Sequence, residues 1–255
     1  MKIWKKLLVC YKTDIGLVRE KNEDSFLVVD GSSDKFDTST YGYLFAVADG
    51  LGGHSGGEVA SKMACDGLLE YYRSYLQNSS SPESRAQLLK NLVRKIDQSV
   101  LHEACENCHC SDMGTTLSAL VLYQDFALLT HVGDSRIYRM RNGKFEQLTH
   151  DQTMAQLSVE LGYIDAEETH RHPLRNVLLE ALGQGIDEIE TRIEKVQSGD
   201  IYLLCSDGLY DEIPDKTIER FILESAEGLC CDRLVNEALK NGGRDNITVI
   251  MIKVT

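Results

Sequence analysis

The sequence of 255 residues predicts an α+β fold with largely antiparallel sheets. Apolar, strand-like runs follow one another with only short turns between them, and helical patterns come in pairs. The dipeptide Asn142-Gly143 lies between two of the strand-like runs, and it favours a tight hairpin because both central residues of a type I′ turn need a positive φ. Grouped strands and grouped helices are typical of α+β folds, whereas a doubly wound parallel sheet alternates the two.

The strand predictions rest on short runs rich in apolar and β-branched residues. These runs cover 7–13, 25–30, 43–48, 115–123, 127–132, 136–140, 144–148, 188–196, 201–205 and 246–254. Apolar residues that recur at helical spacing predict helices within 59–75, 88–100, 218–222 and 234–239. The polar stretch 77–84 predicts a loop between the first two helices, and no long Pro/Gly/Ser linker divides the chain. We therefore expect a single domain over residues 1–255.

The charge balance excludes one class of partner. The chain has 40 acidic and 27 basic residues, a formal net charge of -13. Binding to a nucleic-acid backbone needs clustered lysine and arginine, so we expect no nucleic-acid partner. The N-terminus lacks the apolar run of a signal peptide, and no stretch approaches the roughly 20 apolar residues that span a bilayer. We expect a cytoplasmic protein with no membrane association.

Eight cysteines in such a chain are expected to be free thiols, because disulfide frameworks belong to oxidising compartments. The cluster Cys105, Cys108, His109 and Cys110 has the spacing of a haem attachment motif, and its ligand types also suit zinc. Haem attachment requires export, and no second Cys-x-x-Cys completes a zinc site. We favour reduced cysteines in a loop, with zinc binding or redox sensing as the alternative.

Four aspartates lie where a strand-like run meets a glycine or a turn: Asp49, Asp134, Asp207 and Asp245. A carboxylate at a strand end is held by a rigid sheet and still faces solvent, which suits a metal ligand. The backbone carbonyl of Gly50 is unobstructed and could supply a further oxygen. One Asp-Gly pair is also ordinary turn chemistry. Four carboxylates without a histidine-rich partner indicate magnesium or manganese rather than zinc or copper.

A charged segment precedes the second predicted strand and contains Arg19, Glu23 and Asp24. A guanidinium beside metal-binding carboxylates can hold phosphate oxygens through two parallel hydrogen bonds. The same charges can form an ordinary solvated surface, and this segment alone favours that interpretation.

Short motifs occur in a fixed order from about residue 13 to the C-terminus, at 16–24, 48–53, 113–116, 132–136, 148–151, 181–183, 206–209 and 243–248. They include Ala48-Asp49-Gly50, Gly133-Asp134-Ser135-Arg136, Ser206-Asp207-Gly208 and Gly243-Arg244-Asp245-Asn246. This ordered set resembles the metal-dependent (type 2C, PPM) serine/threonine protein phosphatases, in particular their bacterial branch. Each motif is short, but their order is highly specific.

The resemblance implies a central antiparallel β-sandwich flanked by helices on both sides, with metal ions in a cleft at one edge. It implies that Asp49 bridges two core Mn²⁺ or Mg²⁺ ions and that the Gly50 carbonyl joins it. Asp207 and Asp245 would bind one of these ions, and Asp207 would also reach a third ion that is common in bacterial members.

The same resemblance gives roles to the remaining candidates. Glu23 would serve the second core ion through water, Asp24 would support that shell, and Asp134 would hold the third ion. Arg19 would bind the substrate phosphate. Residues 152–172 correspond to a variable flap beside the cleft.

The implied reaction is hydrolysis of phosphoserine and phosphothreonine on proteins by direct attack of a hydroxide that bridges two divalent metal ions. The substrates would include targets of a bacterial serine/threonine kinase, and we expect a monomer. One position departs from animal and plant members, which carry histidine after the Asp-Gly pair where this chain has Leu51. His54 lies three residues later and is a weaker candidate for the acid that protonates the leaving group.

Two alternatives remain open at this level. A pseudophosphatase with this fold would scaffold a partner, but its metal-binding aspartates would be lost, and Asp49, Asp207 and Asp245 are present. Another two-metal hydrolase, such as a small-molecule phosphatase, is harder to separate, because an open metal cleft does not choose a protein substrate. The acidic balance disfavours a nuclease.

Overall fold

Two five-stranded antiparallel sheets form the framework of the protein. The structure is a computed structural model, and it describes residues 6–51, 56–74, 81–106, 112–225 and 229–255. Within these ranges the strands are β1 (Leu7–Asp14), β2 (Ser25–Val29), β3 (Tyr43–Ala48), β4 (Gly50–Leu51), β5 (Gly114–Thr115), β6 (Leu117–Tyr123), β7 (Phe126–Val132), β8 (Arg136–Arg141), β9 (Lys144–Gln147), β10 (Glu190–Lys195), β11 (Ile201–Cys205) and β12 (Ile247–Val254).

Helices occupy the segments between the groups of strands. In the described part of the chain they are α1 (Thr38–Tyr41), α2 (Gly56–Leu68), α3 (Pro82–Glu106), α4 (Met154–Glu160), α5 (Asp207–Tyr210), α6 (Asp215–Glu224) and α7 (Cys231–Asn241). Two 3₁₀ helices cover Leu69–Arg73 and Ala166–Arg171. Among the described residues, no helix has the length and apolar character needed to cross a bilayer.

The layers follow from which side chains are buried on each face of the sheets. One sheet has the order β1-β12-β11-β8-β9 and the other β10-β7-β6-β3-β2. Their facing surfaces form an inner core that includes Phe45, Leu120 and Ile250. Helices α2 and α3 cover the outer face of the second sheet, and α5, α6 and α7 cover the outer face of the first. The expected β-sandwich flanked by helices on both sides is confirmed.

Strand β3 shows why the central strands could be predicted from the sequence. Phe45 and Val47 point into the inner core, while Leu44 and Ala46 point toward the helices. A strand that is covered on both faces appears as a continuous apolar run rather than an alternating one.

The predicted strands and helices are present, and most end points differ by a few residues. Helix α3 is longer than predicted: it begins at Pro82, inside the predicted loop 77–84, and ends at Glu106. Residues 77–80 of that loop lie outside the described residues. Asn142 and Gly143 have φ values of 51° and 78° and connect β8 to β9, so the predicted hairpin is confirmed. The predicted strand 115–123 is interrupted at Thr116, because Thr115 pairs with Gly50 while β6 begins at Leu117. The first predicted helix changes from α to 3₁₀ geometry at Leu69.

Some short elements were not predicted. Helix α4 lies inside the predicted flap segment, and the Thr153 hydroxyl caps it by accepting from the Gln156 amide at 3.2 Å. Helix α1 has four residues, and the Asp37 side chain caps it in the same way. Elements of one or two turns do not repeat often enough to show a helical period.

The expectation of free thiols is wrong for one pair of cysteines. Cys10 of β1 and Cys231 of α7 form a disulfide, although 221 residues separate them in sequence. They meet because β1 pairs with β12 and α7 packs against both strands, a long-range arrangement that cysteine spacing does not reveal. Among the described residues the free cysteines are Cys65, Cys105, Cys205 and Cys230. Cys108, His109 and Cys110 of the predicted cluster lie outside the described residues.

We expect Cys231→Ser to lower the free energy of unfolding by about 2–5 kcal/mol, because a disulfide that closes a long loop restricts the unfolded chain. Chemical denaturation without reductant measures the effect. Cys105→Ser is the matched control, since Cys105 is exposed and has no disulfide partner among the described residues, so its replacement should leave stability unchanged. Equal unfolding midpoints for Cys231→Ser and the wild type would contradict the prediction.

Candidate functional site

The predicted acidic residues lie at one edge of the sandwich, where strands of both sheets begin or end. Strand pairing sets this arrangement: Ser25 is opposite Ala48 in one sheet, and Cys205 is opposite both Arg136 and Val249 in the other. The residues that flank these pairs are Glu23 and Asp24 before β2, Asp49 after β3, Asp134 before β8, Asp207 after β11 and Asp245 before β12.

Threonine side chains and amides hold the backbone of Asp49. Its amide donates to the Thr116 hydroxyl at 3.0 Å, and its carbonyl accepts from the Thr115 hydroxyl at 2.8 Å and the Thr116 amide at 2.9 Å. The adjacent Gly50 has no room for a side chain, since a Cβ there would lie 2.3 Å from the Gly57 carbonyl oxygen and 2.5 Å from that of Glu23. The backbone is therefore fixed through contacts that do not use the Asp49 carboxylate.

Asn246 fastens the segment before β2 to the start of β12. Its side-chain oxygen accepts from the Glu23 amide at 2.7 Å, and its side-chain nitrogen donates to the carbonyls of Ile15 and Lys21, each at 2.9 Å. A Cβ on Gly208 would lie 2.0 Å from the Asn246 carbonyl oxygen, so the backbone of α5 also lies directly against the start of β12. One amide side chain thus sets the relative position of residues from the two ends of the chain.

Asp24 and Asp207 each have a buried carboxylate oxygen that no described residue reaches with a hydrogen bond. Ser206 donates to one oxygen of Asp24 at 2.7 Å, and the Ser206 hydroxyl accepts from the Thr248 amide at 3.0 Å. The Oδ1 atoms of Asp24 and Asp207 are buried, and no partner reaches either of them in the described part of the chain. An unsatisfied buried carboxylate oxygen is costly, and it is also a free ligand for a hard cation.

Arg19 brings positive charge to the exposed side of this edge. Its guanidinium lies 2.5 Å from Oδ2 of Asp245, and its side chain is 51% exposed. The hydrogen bond that Arg19 donates to Asp245 raises the pKa of Arg19, and the charges of Asp207 and Asp49 act in the same direction. A half-exposed guanidinium next to carboxylates can bind an incoming phosphate while it remains anchored.

Asp134 is buried at 7% exposure and lies at the junction with the predicted flap. Its carbonyl accepts from the Tyr210 hydroxyl at 3.1 Å. The preceding residue, Gly133, exchanges two hydrogen bonds with Gln152: its amide donates to the Gln152 side chain at 2.7 Å, and its carbonyl accepts from the Gln152 amide at 2.8 Å. The first residue of the flap segment is therefore tied to the turn that carries Asp134.

Burial raises the pKa values of the site aspartates, and the charges of nearby carboxylates raise them further. Burial raises the pKa of Asp24 to about 6 and that of Asp134 to about 7. Burial is also the largest cause for Asp49 and Asp207, whose pKa values lie well above the usual range, followed for Asp49 by the charge of Asp24 and for Asp207 by that of Asp134. Burial raises the pKa of Glu23 as well. The site is thus a group of buried carboxylates that repel one another when they are ionised.

The described residues contain no group of three or more His, Cys, Asp or Glu side chains already arranged as a metal-binding cluster. The carboxylates nevertheless fit a hard divalent cation by two criteria. Their ligand atoms are all oxygens, which Mg²⁺ and Mn²⁺ prefer. In addition, one buried oxygen each of Asp24 and Asp207 has no hydrogen-bond partner among the described residues, and a bound cation could take that place.

The structure brings together most of the residues that the sequence selected, namely Arg19, Glu23, Asp24, Asp49, Gly50, Asp134, Asp207 and Asp245. His54 lies outside the described residues. His131 is buried, its Nε2 lies 3.0 Å from the His150 carbonyl oxygen, and burial lowers its pKa.

Thr116, Ser206 and Asn246 were not predicted as site residues from the sequence. Each is adjacent or close in sequence to a selected motif residue, and each acts by orienting a backbone or a carboxylate. Position next to a motif aspartate was the available signal, but it does not distinguish an orienting side chain from a neutral neighbour.

An α–β–β–α sandwich with carboxylates of both sheets at one edge defines a class of protein with an acidic, cation-suited cleft. The sequence profile of the protein phosphatase 2C family matches residues 20–241, and the chain belongs to this family.

Named relatives agree with this membership. The chain is 35% identical over 243 residues to the serine/threonine protein phosphatase PstP of Mycobacterium tuberculosis, a match that covers 95% of the chain and 44% of that protein. The chain thus corresponds to less than half the length of PstP. It is 34% identical over 246 residues to the serine/threonine phosphatase stp of Listeria innocua, with coverage of 95% and 94%.

A solved structure matches the fold closely. The catalytic domain of serine threonine protein phosphatase PstP in complex with 2 manganese ions superposes with a TM-score of 0.81 and 33% identity, covering 98% of each chain.

We expect the metal-free protein to lose stability as the pH rises from about 5 to about 8. The raised pKa values mean that the aspartates hold protons more tightly when folded than when unfolded. Their contribution is complete below the ordinary aspartate pKa of about 4 and is lost as the pH passes about 6 for Asp24 and about 7 for Asp134. Thermal unfolding in the presence of a chelator, at a series of pH values, measures this.

The variant Asp134→Asn isolates the effect. His131, whose pKa burial lowers, acts in the opposite direction in the same pH window, and the variant keeps it. The pH dependence of Asp134→Asn should be flatter than that of the wild type, by an amount on the order of a few kcal/mol across the window. Identical pH profiles would show that Asp134 does not bind its proton as described.

Proposed function

We propose that the chain is a phosphoric monoester hydrolase that removes phosphate from phosphoserine and phosphothreonine in proteins with the aid of two divalent cations, Mn²⁺ or Mg²⁺. The observation that carries the proposal is the self-repelling group of aspartates with unpartnered buried oxygens on Asp24 and Asp207, next to a half-exposed arginine. Membership in the protein phosphatase 2C family supports it.

The core cations would be held by residues of both sheets. Asp49 would bridge the two ions, and the Gly50 carbonyl would join it, while Asp207 and Asp245 would bind one of them. Glycine at position 50 supports this assignment, because a side chain there would collide with the Gly57 and Glu23 carbonyls.

Further carboxylates would complete the site. Glu23 would contact the second ion through a water molecule. Asp24, which accepts a hydrogen bond from Ser206, would help to hold the ligands of that ion in place. Asp134 would hold a third ion together with Asp207; after burial, the charge of Asp134 is the next largest cause of the raised pKa of Asp207, and this proximity supports a shared cation.

Bound divalent cations would lower the pKa of the attacking water and neutralise the phosphoryl oxygens, which suits one of the slowest uncatalysed reactions known. The protein's own groups would position the reactants. Arg19 would hold a phosphate oxygen while Asp245 keeps its guanidinium at the mouth of the site, and Thr116 would keep Asp49 in place. Asp49, Asp207 and Asp245 are thus the catalytic residues of the proposal, and Arg19 is the phosphate-binding residue.

Protein substrates are favoured over small molecules by the relatives' names, which denote serine/threonine protein phosphatases. We propose that the substrates include proteins phosphorylated by a serine/threonine kinase. We further propose that residues 1–255 act as one catalytic domain with a flap at about 152–172, where Gln152 joins the flap to the Asp134 turn.

The first test is phosphate release from a phosphothreonine peptide by chelator-treated protein, with and without added Mn²⁺ or Mg²⁺. We expect activity that appears on addition of the cation and disappears on renewed chelation. A nucleotide and a sugar phosphate serve as comparison substrates. Folded protein that is inactive with both cations would favour a pseudophosphatase, and hydrolysis of the sugar phosphate alone would favour a small-molecule phosphatase.

We expect Asp207→Asn to reduce turnover by at least about three orders of magnitude, since the loss of a metal ligand removes the main source of rate acceleration. The metal-free variant should be at least as stable as the wild type, because one repelling charge is gone. Phosphate release and thermal unfolding in chelator measure the two effects. Asp215→Asn, which changes an exposed carboxylate of α6, is the control and should keep near-normal turnover. Near-normal turnover in Asp207→Asn would refute the assignment of Asp207 as a metal ligand.

A further inference from the structure

The segment that leads to Arg19 exposes apolar side chains in close succession. Ile15, Leu17 and Val18 are 39%, 68% and 65% exposed, and we refer to these three residues as the apolar patch. Single exposed hydrophobic residues are ordinary on protein surfaces, but neighbouring ones that form a patch mark an interaction site more often.

The backbone beneath the apolar patch is held firmly. The Leu17 amide donates to the Gly243 carbonyl at 2.7 Å, and Asn246 donates to the Ile15 carbonyl at 2.9 Å. Gly16 has a φ of +81°, and a Cβ there would lie 2.3 Å from the Asp245 carbonyl oxygen, so the segment packs directly on the chain that carries Asp245. The apolar side chains are therefore exposed on a turn whose backbone is fixed by hydrogen bonds and close packing.

The apolar patch directly precedes the proposed phosphate-binding residue in the chain. Val18 immediately precedes Arg19, and the Arg19 guanidinium is fastened to Asp245. A phosphorylated polypeptide whose phosphate reaches Arg19 would bring the residues beside its phosphoserine or phosphothreonine close to Leu17 and Val18. A free sugar phosphate or nucleotide has no such neighbouring side chain.

We infer that Leu17 and Val18 are specificity-determining residues that bind an apolar side chain next to the phosphorylated residue of a protein substrate. This inference rests on the proposed function and gives it a sequence preference. Burying apolar surface is favourable in proportion to the area removed from water, so the two side chains can contribute a measurable share of peptide affinity without touching the reacting atoms.

The test compares two phosphothreonine peptides, one with leucine and valine beside the phosphothreonine and one with serine at those positions. The variant Leu17→Asn/Val18→Thr keeps side-chain size and removes the apolar character. For the apolar peptide we expect the variant to raise KM about tenfold with little change in kcat, whereas the serine peptide should be nearly unaffected. Hydrolysis of p-nitrophenyl phosphate, which has no neighbouring residue, should stay at the wild-type rate.

Two further variants separate a specific contact from a structural effect. Leu17→Met/Val18→Ile should restore the wild-type KM for the apolar peptide, because the apolar surface returns. Leu223→Asn on α6 removes another apolar side chain of 58% exposure that belongs to a different helix, and it should leave the KM of both peptides unchanged.

Binding of labelled peptides of the same two sequences, with a non-hydrolysable phosphonate in place of the phosphate ester, is measured by fluorescence anisotropy with added Mn²⁺ and keeps the inference separate from the proposed reaction. Wild-type protein that binds the apolar peptide more tightly than the serine peptide supports the patch even if no hydrolysis occurs. Equal affinity for the two peptides, or an equal loss of peptide and p-nitrophenyl phosphate turnover in the variant, would overturn it. A variant that changes the oligomeric state rather than KM would instead identify the patch as a contact between copies of the chain.

Discussion

Repulsion among carboxylates at one edge of the sandwich is the constraint on which the rest of the structure depends. Asp24, Asp49, Asp134 and Asp207 have raised pKa values, and burial is the largest cause for all four. The charge of Asp24 raises the pKa of Asp49 further, and the charge of Asp134 raises that of Asp207. Such a group is unfavourable for folding by itself. It is held in place because the carboxylates are attached to different strands, whose positions are fixed by an inner core between the sheets and by outer cores beneath the helices.

The groups that orient these carboxylates are mainly neutral. Thr116 holds the backbone of Asp49, Ser206 donates to Asp24, and Asn246 joins Glu23 to the start of β12. A lysine or arginine in any of these positions would neutralise a carboxylate and reduce its value as a ligand for a cation. Of the two nearby arginines, Arg19 is half exposed and pairs with Asp245 alone among the site carboxylates in the described part of the chain. Arg136 pairs with Asp151, and its guanidinium lies 3.6 Å from the Tyr210 ring centroid. Neutral donors therefore give the site rigidity without removing its charge.

The sequence was most informative where one local rule determines the outcome. Strands such as β3 are apolar throughout because both faces are covered, and Asn142-Gly143 can make its turn in few other ways. The candidate aspartates could be selected because strand ends and motif order mark them. The disulfide between Cys10 and Cys231 could not be predicted, since it depends on how α7 packs against β1. Asn246 was also missed as an orienting residue, because its importance lies in three contacts with a segment more than 220 residues away.

That distance in sequence has a physical consequence for how the site forms. The hydrogen bonds between Arg19 and Asp245 and between Glu23 and Asn246 join residues that are 226 and 223 positions apart. Both depend on the pairing of β1 with β12, in which Asp14 lies opposite Ile247. Contacts of such high separation carry a loop-closure cost that local contacts do not, so the site cannot exist before the two ends of the chain have met. A cation that binds only this assembled edge would therefore stabilise the whole fold by mass action, and cation binding and global folding would be thermodynamically linked.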